Sequence, residues 1–476
     1  MARRKKSTFE RLRSGTLNRQ QRRELQQELN SASPGLDIVH ANAAGIDVGN
    51  ASHFVAVPPG RDEQPVREFG SWTADLRNMA AWLKSCGITT VAMQSTGVYW
   101  IAVQEVLEDE GLEVYLVNAR GTKNLPGRKS DVQECQWLMK LHTYGLLRNS
   151  FRPPEEIRTV RTLWRLRDRW VKEAGRAIQQ MQKALTTMNI QLANVISDLS
   201  GVTGLAIVRA LVGGTRDPWE LAKLRDKRIN ASETEIAHSL QGNWRDDVMF
   251  ELRQVVEAYD FYQKQMDGCD KKLQKALKDL PNREIPGQNV AGEPVVPPTK
   301  TRLKNQPKFN LAAELQRTLG VDVTAVDGLH VMTGQIFLSE VGPDLRAFPT
   351  EDHFASWLEL TPRREVSGGK VIRHVKPDGR NRLANVLRMG AQALSRSDSY
   401  LGARYRRLRG RLGGPRANKA MARYLACLLY RLITKGEAYV DRGAKYYESK
   451  RQERERLALE RRATAQGFKL VPVAVG

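Results

Sequence analysis

Cysteine is scarce in this chain. The four residues, Cys86, Cys135, Cys269 and Cys427, lie far apart and form no Cys-x-x-Cys pair. That argues against a zinc module and a disulfide framework, and it fits a reducing cytoplasm. Long apolar runs are also missing. No stretch approaches the ~20 residues a membrane span needs. Acidic residues are the minority charge, 53 against 76 lysines and arginines, giving a formal net charge of +23. Such an excess implies a polyanionic partner, DNA, RNA or both. A merely soluble basic protein, or a ribosomal-type binder, is the plain alternative. The opening Met-Ala-Arg-Arg-Lys-Lys has no apolar core behind it and does not read as a secretory signal.

The chain has 476 residues, 41% of them hydrophobic, enough for two to four domains. Residues 1–36 are basic and polar and close at Pro34-Gly35; they read as a partly helical arm able to lie on a phosphate backbone, or as a solvated tail. From 37 to 150 the pattern predicts strands over Val39–Val48, Ser52–Val57 and Val66–Gly70 and a helix over Thr73–Lys84. A strand over Thr90–Met93, a helix over Val98–Glu110, a strand over Val114–Val117 and a helix over about Asp131–Leu147 follow. The order β-β-β-α-β-α-β-α is that of a ribonuclease-H-like mixed sheet covered by helices.

Residues 151–280 turn helical. Apolar residues recur every three or four positions from Leu163 to Leu192 and again from Leu252 to Leu280. Two long amphipathic helices are predicted, a coiled-coil region that either closes on itself or pairs with another subunit. Gly201–Asn243 between them reads as a small helical insert. Residues 281–309 carry six prolines and read as a linker. A second globular unit, mainly α, spans 310–440, and residues 441–476 form a charge-dense, basic helical tail. The fold class is therefore α/β followed by α.

Two constellations carry chemistry. Asp47 ends the first strand beside a glycine, in Gly45-Ile-Asp47-Val-Gly49. Asp131 and Glu134 are three residues apart at a helix start and share one face. A strand carboxylate facing a helical pair is one way to hold divalent metal over a phosphodiester. Asp131 could equally just line the first turn of its helix. A fourth acid is expected at the end of the central strand, where the chain has Gln94, a neutral and weaker oxygen donor. The second constellation is Arg363-Arg364-Glu-Val-Ser367-Gly-Gly-Lys370, then Arg373, Lys376 and Arg380. Serine before two glycines sits on permissive backbone, and a serine hydroxyl can accept a phosphoryl group covalently. The cations around it suit a phosphate that gains charge during transfer. The plain alternative is a flexible loop. Upstream, Ala325–Gly334 looks like a helix–hairpin–helix that contacts nucleic-acid backbone, or an ordinary packed helical turn.

Five stretches together carry a family resemblance. They are Gly45-Ile-Asp47-Val-Gly, Met93-Gln94-Ser-Thr-Gly-Val-Tyr-Trp100, Val117-Asn-Ala-Arg120, Gly127-Arg-Lys-Ser-Asp131-Val-Gln-Glu134, and Leu360-Thr-Pro with Ser367-Gly-Gly-Lys. The chain resembles the insertion-sequence transposases with an N-terminal RuvC-like DEDD domain and a C-terminal serine-bearing transposase domain, the bridge-RNA-guided recombinases. The resemblance spans residues from about 40 to 435. It implies that Asp47, Gln94, Asp131 and Glu134 occupy the four DEDD positions, with Gln94 where the family usually has glutamate and Glu134 where it usually has aspartate. It implies Ser367 as nucleophile and Mg2+ held by Asp47, Asp131 and Glu134. It implies target and donor DNA and a non-coding guide RNA as partners, and a homodimer or tetramer in which different protomers complete one site. Arg120, Lys123, Arg128, Lys129, Arg363, Arg364, Lys370, Arg373, Lys376 and Arg380 are expected to contact nucleic acid. The expected location is the cytoplasm, on the nucleoid. A RuvC-like Holliday-junction nuclease and a catalytically impaired nucleic-acid-binding protein stay open as alternatives.

Overall fold

The computed structural model describes residues 20, 24, 37–95, 97–118, 130–283, 304–367, 370–375, 381–436, 443–469 and 471; at 363–367, 370 and 372–375 it describes the backbone. The expected N-terminal arm lies outside the described residues except at Gln20 and Glu24. Two compact units emerge: residues 1–152 together with 363–375, and residues 153–362 together with 376–476. No helix among the described residues is long and apolar enough to cross a membrane.

The first unit is a five-stranded sheet of β1 (Ala43–Val48), β2 (Ser52–Ala56), β3 (Val66–Gly70), β4 (Thr90–Gln94) and β5 (Glu113–Val117), in the order β3-β2-β1-β4-β5. The first three strands pair antiparallel, and β1, β4 and β5 run parallel. This is the ribonuclease-H-like arrangement the strand order implied. Helices α1 (Thr73–Ser85) and α2 (Trp100–Asp109) make the parallel crossovers. Their side chains Leu76, Met79, Leu83, Val103 and Leu107 pack with Ile46, Val91 and Met93 in one cluster. Burying each such side chain stabilises the fold by about 1.5–3 kcal/mol. Helix α3 (Asp131–Thr143) covers the other face, where Cys135 and Met139 meet Ala56 and Leu138 meets Ala92 and Val117.

Most element boundaries in this unit fall within two residues of the sequence expectation, and two differ by four, each for a local reason. The first strand starts at Ala43 and not Val39, because the Val39 and His40 amides donate to the Thr143 carbonyl at 2.9 and 3.0 Å. Those residues close the C-terminus of α3 and leave Ile38 and Val39 exposed. Helix α3 stops at Thr143 and does not reach Leu147, because Gly145 takes a left-handed φ of 62° and Leu146 N–H turns back to the Leu141 carbonyl.

In the second unit, α4 (Glu155–Thr187) and α6 (Asp246–Lys278), 33 residues each, run antiparallel against one another. Trp170 stacks on Tyr262 at 5.9 Å, and Arg167 meets Asp270 further along the same pair. The amphipathic faces therefore satisfy each other within one chain. Between them, α5 (Val202–Val212) and short helices at Pro218–Ala222 and Glu233–Ser239 form the expected helical insert. The Arg167–Asp270 pair is almost fully buried. Arg167 also donates to the Asn305 carbonyl at 2.8 Å, and Asp270 accepts from the Lys308 amide at 3.0 Å. Most of the expected proline-rich linker, residues 284–303, lies outside the described residues, and both of its flanks pack within this unit.

The remaining helices are α7 (Leu311–Leu319), α8 (Val331–Glu340), α9 (Glu351–Trp357), α10 (Arg382–Ala393), α11 (Tyr400–Leu412), α12 (Gly414–Lys435) and α13 (Gly443–Ala465). Phe337, Phe348, Phe354 and Trp357 form an aromatic core. Arg161 and Arg165 of α4 bond the carbonyl end and the Glu340 carboxylate of α8. Residues 325–334, expected as a helix–hairpin–helix, span the end of a 3-10 turn at Val323–Ala325, a connection and the first turn of α8. Its turn is packed, not free: Gly328 stands against Gly390 of α10 so closely that a Cβ on either would meet the other's carbonyl oxygen. The charge-dense tail is the helix α13, which has no buried residue.

Candidate active site

Gly45 decides where α3 sits. A Cβ there would fall well inside contact distance of the Cys135 carbonyl oxygen and the Met139 amide nitrogen. The helix backbone thus rests directly on the β1 backbone. Side chains alternate along a strand, so Asp47 shares the α3-facing side with Gly45. On β4, Ala92 packs beneath α3 and Gln94 follows it on the same side. The parallel register pairs Ile46 with Met93, so Asp47 and Gln94 sit side by side at the ends of neighbouring strands.

Helix α3 begins at the same end. Ser130 caps it, its hydroxyl accepting from the Gln133 amide at 3.3 Å, and Asp131 occupies the first helical position. The helix N-terminus carries partial positive charge, which favours carboxylates there. Asp131 is exposed, while Asp47, Gln94 and Glu134 are half-buried. Cys135 is buried behind the acids. Burial, with the charges of Asp47 and Asp131 adding to it, pushes this thiol up to about 12. Its Sγ lies 3.1 Å from the Val132 carbonyl. Cys135 is therefore a packing group, held as the neutral thiol.

The structure gathers Asp47, Gln94, Asp131 and Glu134 at one end of the sheet. Among the described residues, however, no three His, Cys, Asp or Glu side chains converge as a metal cluster. The donor set still fits a hard divalent ion of one kind. Magnesium keeps several waters and is commonly held by one or two carboxylates plus substrate phosphates, not by an all-protein cage. Two carboxylates at the rim, a third acid one turn along and a neutral amide match that description.

Ser367 is the last residue of β6 (Arg363–Ser367), which pairs antiparallel with β7 (Lys370–Val375). Ser367 faces Lys370 across a two-residue connection, so the serine stands at a hairpin tip with its backbone in a ladder, not in a long loop. A register shift at Glu365/Val366 bends the strand just before it. Arg363, Arg364, Lys370 and Arg373 lie along the same hairpin. Arg120, Lys123, Arg128, Lys129, Lys376 and Arg380 lie outside the described residues. The sequence reading overlooked Gly45 as the residue that docks α3. Its only signal was the spacing Gly-x-Asp within an otherwise apolar strand.

Two family models match the chain. One, for DEDD transposases of the IS110 type, covers residues 44–190 and so includes Asp47, Gln94, Asp131 and Glu134. The other, described as the transposase IS116/IS110/IS902 family, covers residues 322–406 and includes Ser367. No curated protein matches.

Proposed function

From the premise that the chain is an IS110-family transposase with an N-terminal DEDD domain, we propose an RNA-guided DNA recombinase that breaks and rejoins strands through a phosphoserine. The observation that carries this reading is the grouping of hairpin 363–375 with the acidic sheet in one compact unit. That grouping supports delivery of Ser367 and the carboxylates to one scissile phosphate. In the proposed reaction the Ser367 hydroxyl oxygen attacks phosphorus, gives up its proton, and a DNA hydroxyl leaves. A hydroxyl of the new partner strand then displaces the serine, so the number of phosphodiester bonds is unchanged.

A divalent ion, magnesium in this reading, would be held by Asp47, Asp131 and Glu134 and would supply neutralisation of charge at the phosphate. Gln94 would orient the phosphate as a neutral donor beside Asp47. The arginines and lysines of the hairpin would balance the charge that grows during transfer. Sequence choice would come from a guide RNA, and the net charge of +23 supports backbone reading by the protein. A dimer or tetramer, as the resemblance implies, belongs to the same proposal.

Ser367→Ala tests the reading. It is expected to abolish both recombination and the denaturation-resistant protein–DNA adduct. A variant that still cuts through metal-activated water would instead support a RuvC-like nuclease. Mixing Asp47→Ala with Ser367→Ala then decides whether serine and acids act across protomers: activity returns only if they do.

A further inference from the structure

The connection from β4 to α2 carries a group that the acidic site does not use. The chain leaves β4 at Gln94, turns at Gly97 in the left-handed region (φ 67°) and enters α2 at Trp100. Trp100 is tied down. Its indole N–H donates to the Gly97 carbonyl at 3.1 Å, and the Arg152 guanidinium stands 5.5 Å from its ring centre. Tyr99 is not tied down. It is 48% exposed, and its hydroxyl has no hydrogen-bond partner among the described residues. The ring lies beside Gly97, 3.6 Å from where a Cβ would stand, an ordinary contact distance. Val98 and Ile101 beside it are 66% and 37% exposed, and Val132, next to Asp131, is 37% exposed.

We propose that Tyr99, flanked by Val98 and Ile101, stacks an unpaired base of the DNA strand whose phosphodiester is brought to Asp47 and Asp131. The inference rests on the acidic-site reading above. A phosphodiester in an intact duplex is flanked by stacked bases, and enzymes that need access take a base out of the stack. An aromatic ring can receive any displaced base, because every base has a π-face. Tyr99 is five residues along the chain from Gln94, which is itself the neighbour of Asp47 across the strands. A protein partner fits less well, because stable protein interfaces bury about 800 Å2 on each side and three side chains fall far short of that.

The test uses the full-length protein with its co-purifying RNA and a duplex bearing 2-aminopurine beside the cleaved bond. A second duplex carries a mismatch at that position. Wild type and Tyr99→Phe are expected to change 2-aminopurine emission on binding and to cleave alike. Tyr99→Ala is expected to lose the emission change and about tenfold in cleavage of the paired duplex, the scale of one base–aromatic stack. Its deficit should shrink on the mismatched duplex, where unpairing is already done. Equal behaviour of Tyr99→Ala and wild type overturns the proposal. So does an equal deficit on both duplexes, or a Phe variant as poor as Ala. Asp47→Ala should lose cleavage but keep the emission change. If it cleaves normally, the acidic-site reading fails, and the emission change alone decides for or against Tyr99.

Discussion

Replacing Gly45 by alanine adds one methyl group at the point where a helix backbone lies on a strand backbone. The added Cβ meets the Cys135 carbonyl oxygen and the Met139 amide, with the Leu138 carbonyl carbon at 3.0 Å. Neither main-chain atom can rotate aside as a side chain would. Relief requires α3 to lift, and α3 contributes Cys135, Leu138 and Met139 to the core on that face. Overpacking of a tight core costs about 1–3 kcal/mol, and backbone partners argue for the upper end. A loss near 3 kcal/mol in a unit of this size lowers its melting temperature by roughly 6–12 °C, at about 2–4 °C per kcal/mol. Scanning calorimetry of the full chain measures this, with Gly175→Ala as control. Gly175 lies in α4 with nothing within 4 Å of an added Cβ, so alanine there should be neutral or slightly stabilising. Lifting α3 also moves Asp131 and Glu134 away from Asp47, so DNA cleavage should fall even below the melting transition. Gly45→Ala melting within 1 °C of wild type, with full activity, would refute the argument that this contact seats the helix.

The other predictions concern charge. Arg167→Ala leaves Asp270 buried without its guanidinium and is expected to destabilise the second unit by about 3–5 kcal/mol in urea unfolding; an effect under 1 kcal/mol would mean water reaches the carboxylate. Burial, helped by the charge on His40, holds His142 down at about 4 against an ordinary 6.5. The unfolded chain then binds a proton in that window that the native state does not, so stability falls as pH drops from 6.5 toward 4, by up to about 3 kcal/mol. His142→Gln should flatten this dependence in pH-stepped thermal melts, and an unchanged slope would assign it to another group. Gln94→Glu adds charge beside Asp47 and is expected to lower the magnesium concentration needed for half-maximal cleavage; an identical metal titration would show that position 94 does not face the ion.

The sheet was legible because its parallel strands are short apolar runs and all five are punctuated by turn residues, and the packing confirms their order. Asp47 and the Asp131/Glu134 pair were legible for the same reason: one ends a strand, the others open a capped helix. Residues 39–42 misled because Val39 is β-prone, while the deciding fact is a contact with Thr143 a hundred positions away. Gly45 was barely legible as a docking point, because a missing side chain leaves no pattern beyond the Gly-x-Asp spacing. The pairing of α4 with α6 was half legible. Periodicity gave both helices their apolar faces, but the Arg167–Asp270 pair that fixes their register is an exception to that pattern.

The antiparallel pair of α4 and α6 also sets a length within the second unit. Arg161, where α4 grips the end of α8, and Thr187, where the chain enters the helical insert, are 26 residues apart on one helix. At 1.5 Å per residue that is about 39 Å. Removing seven residues from each helix would draw the insert in by about 10 Å while keeping the apolar faces in phase. The reach of the insert within this unit is thus set by helix length alone.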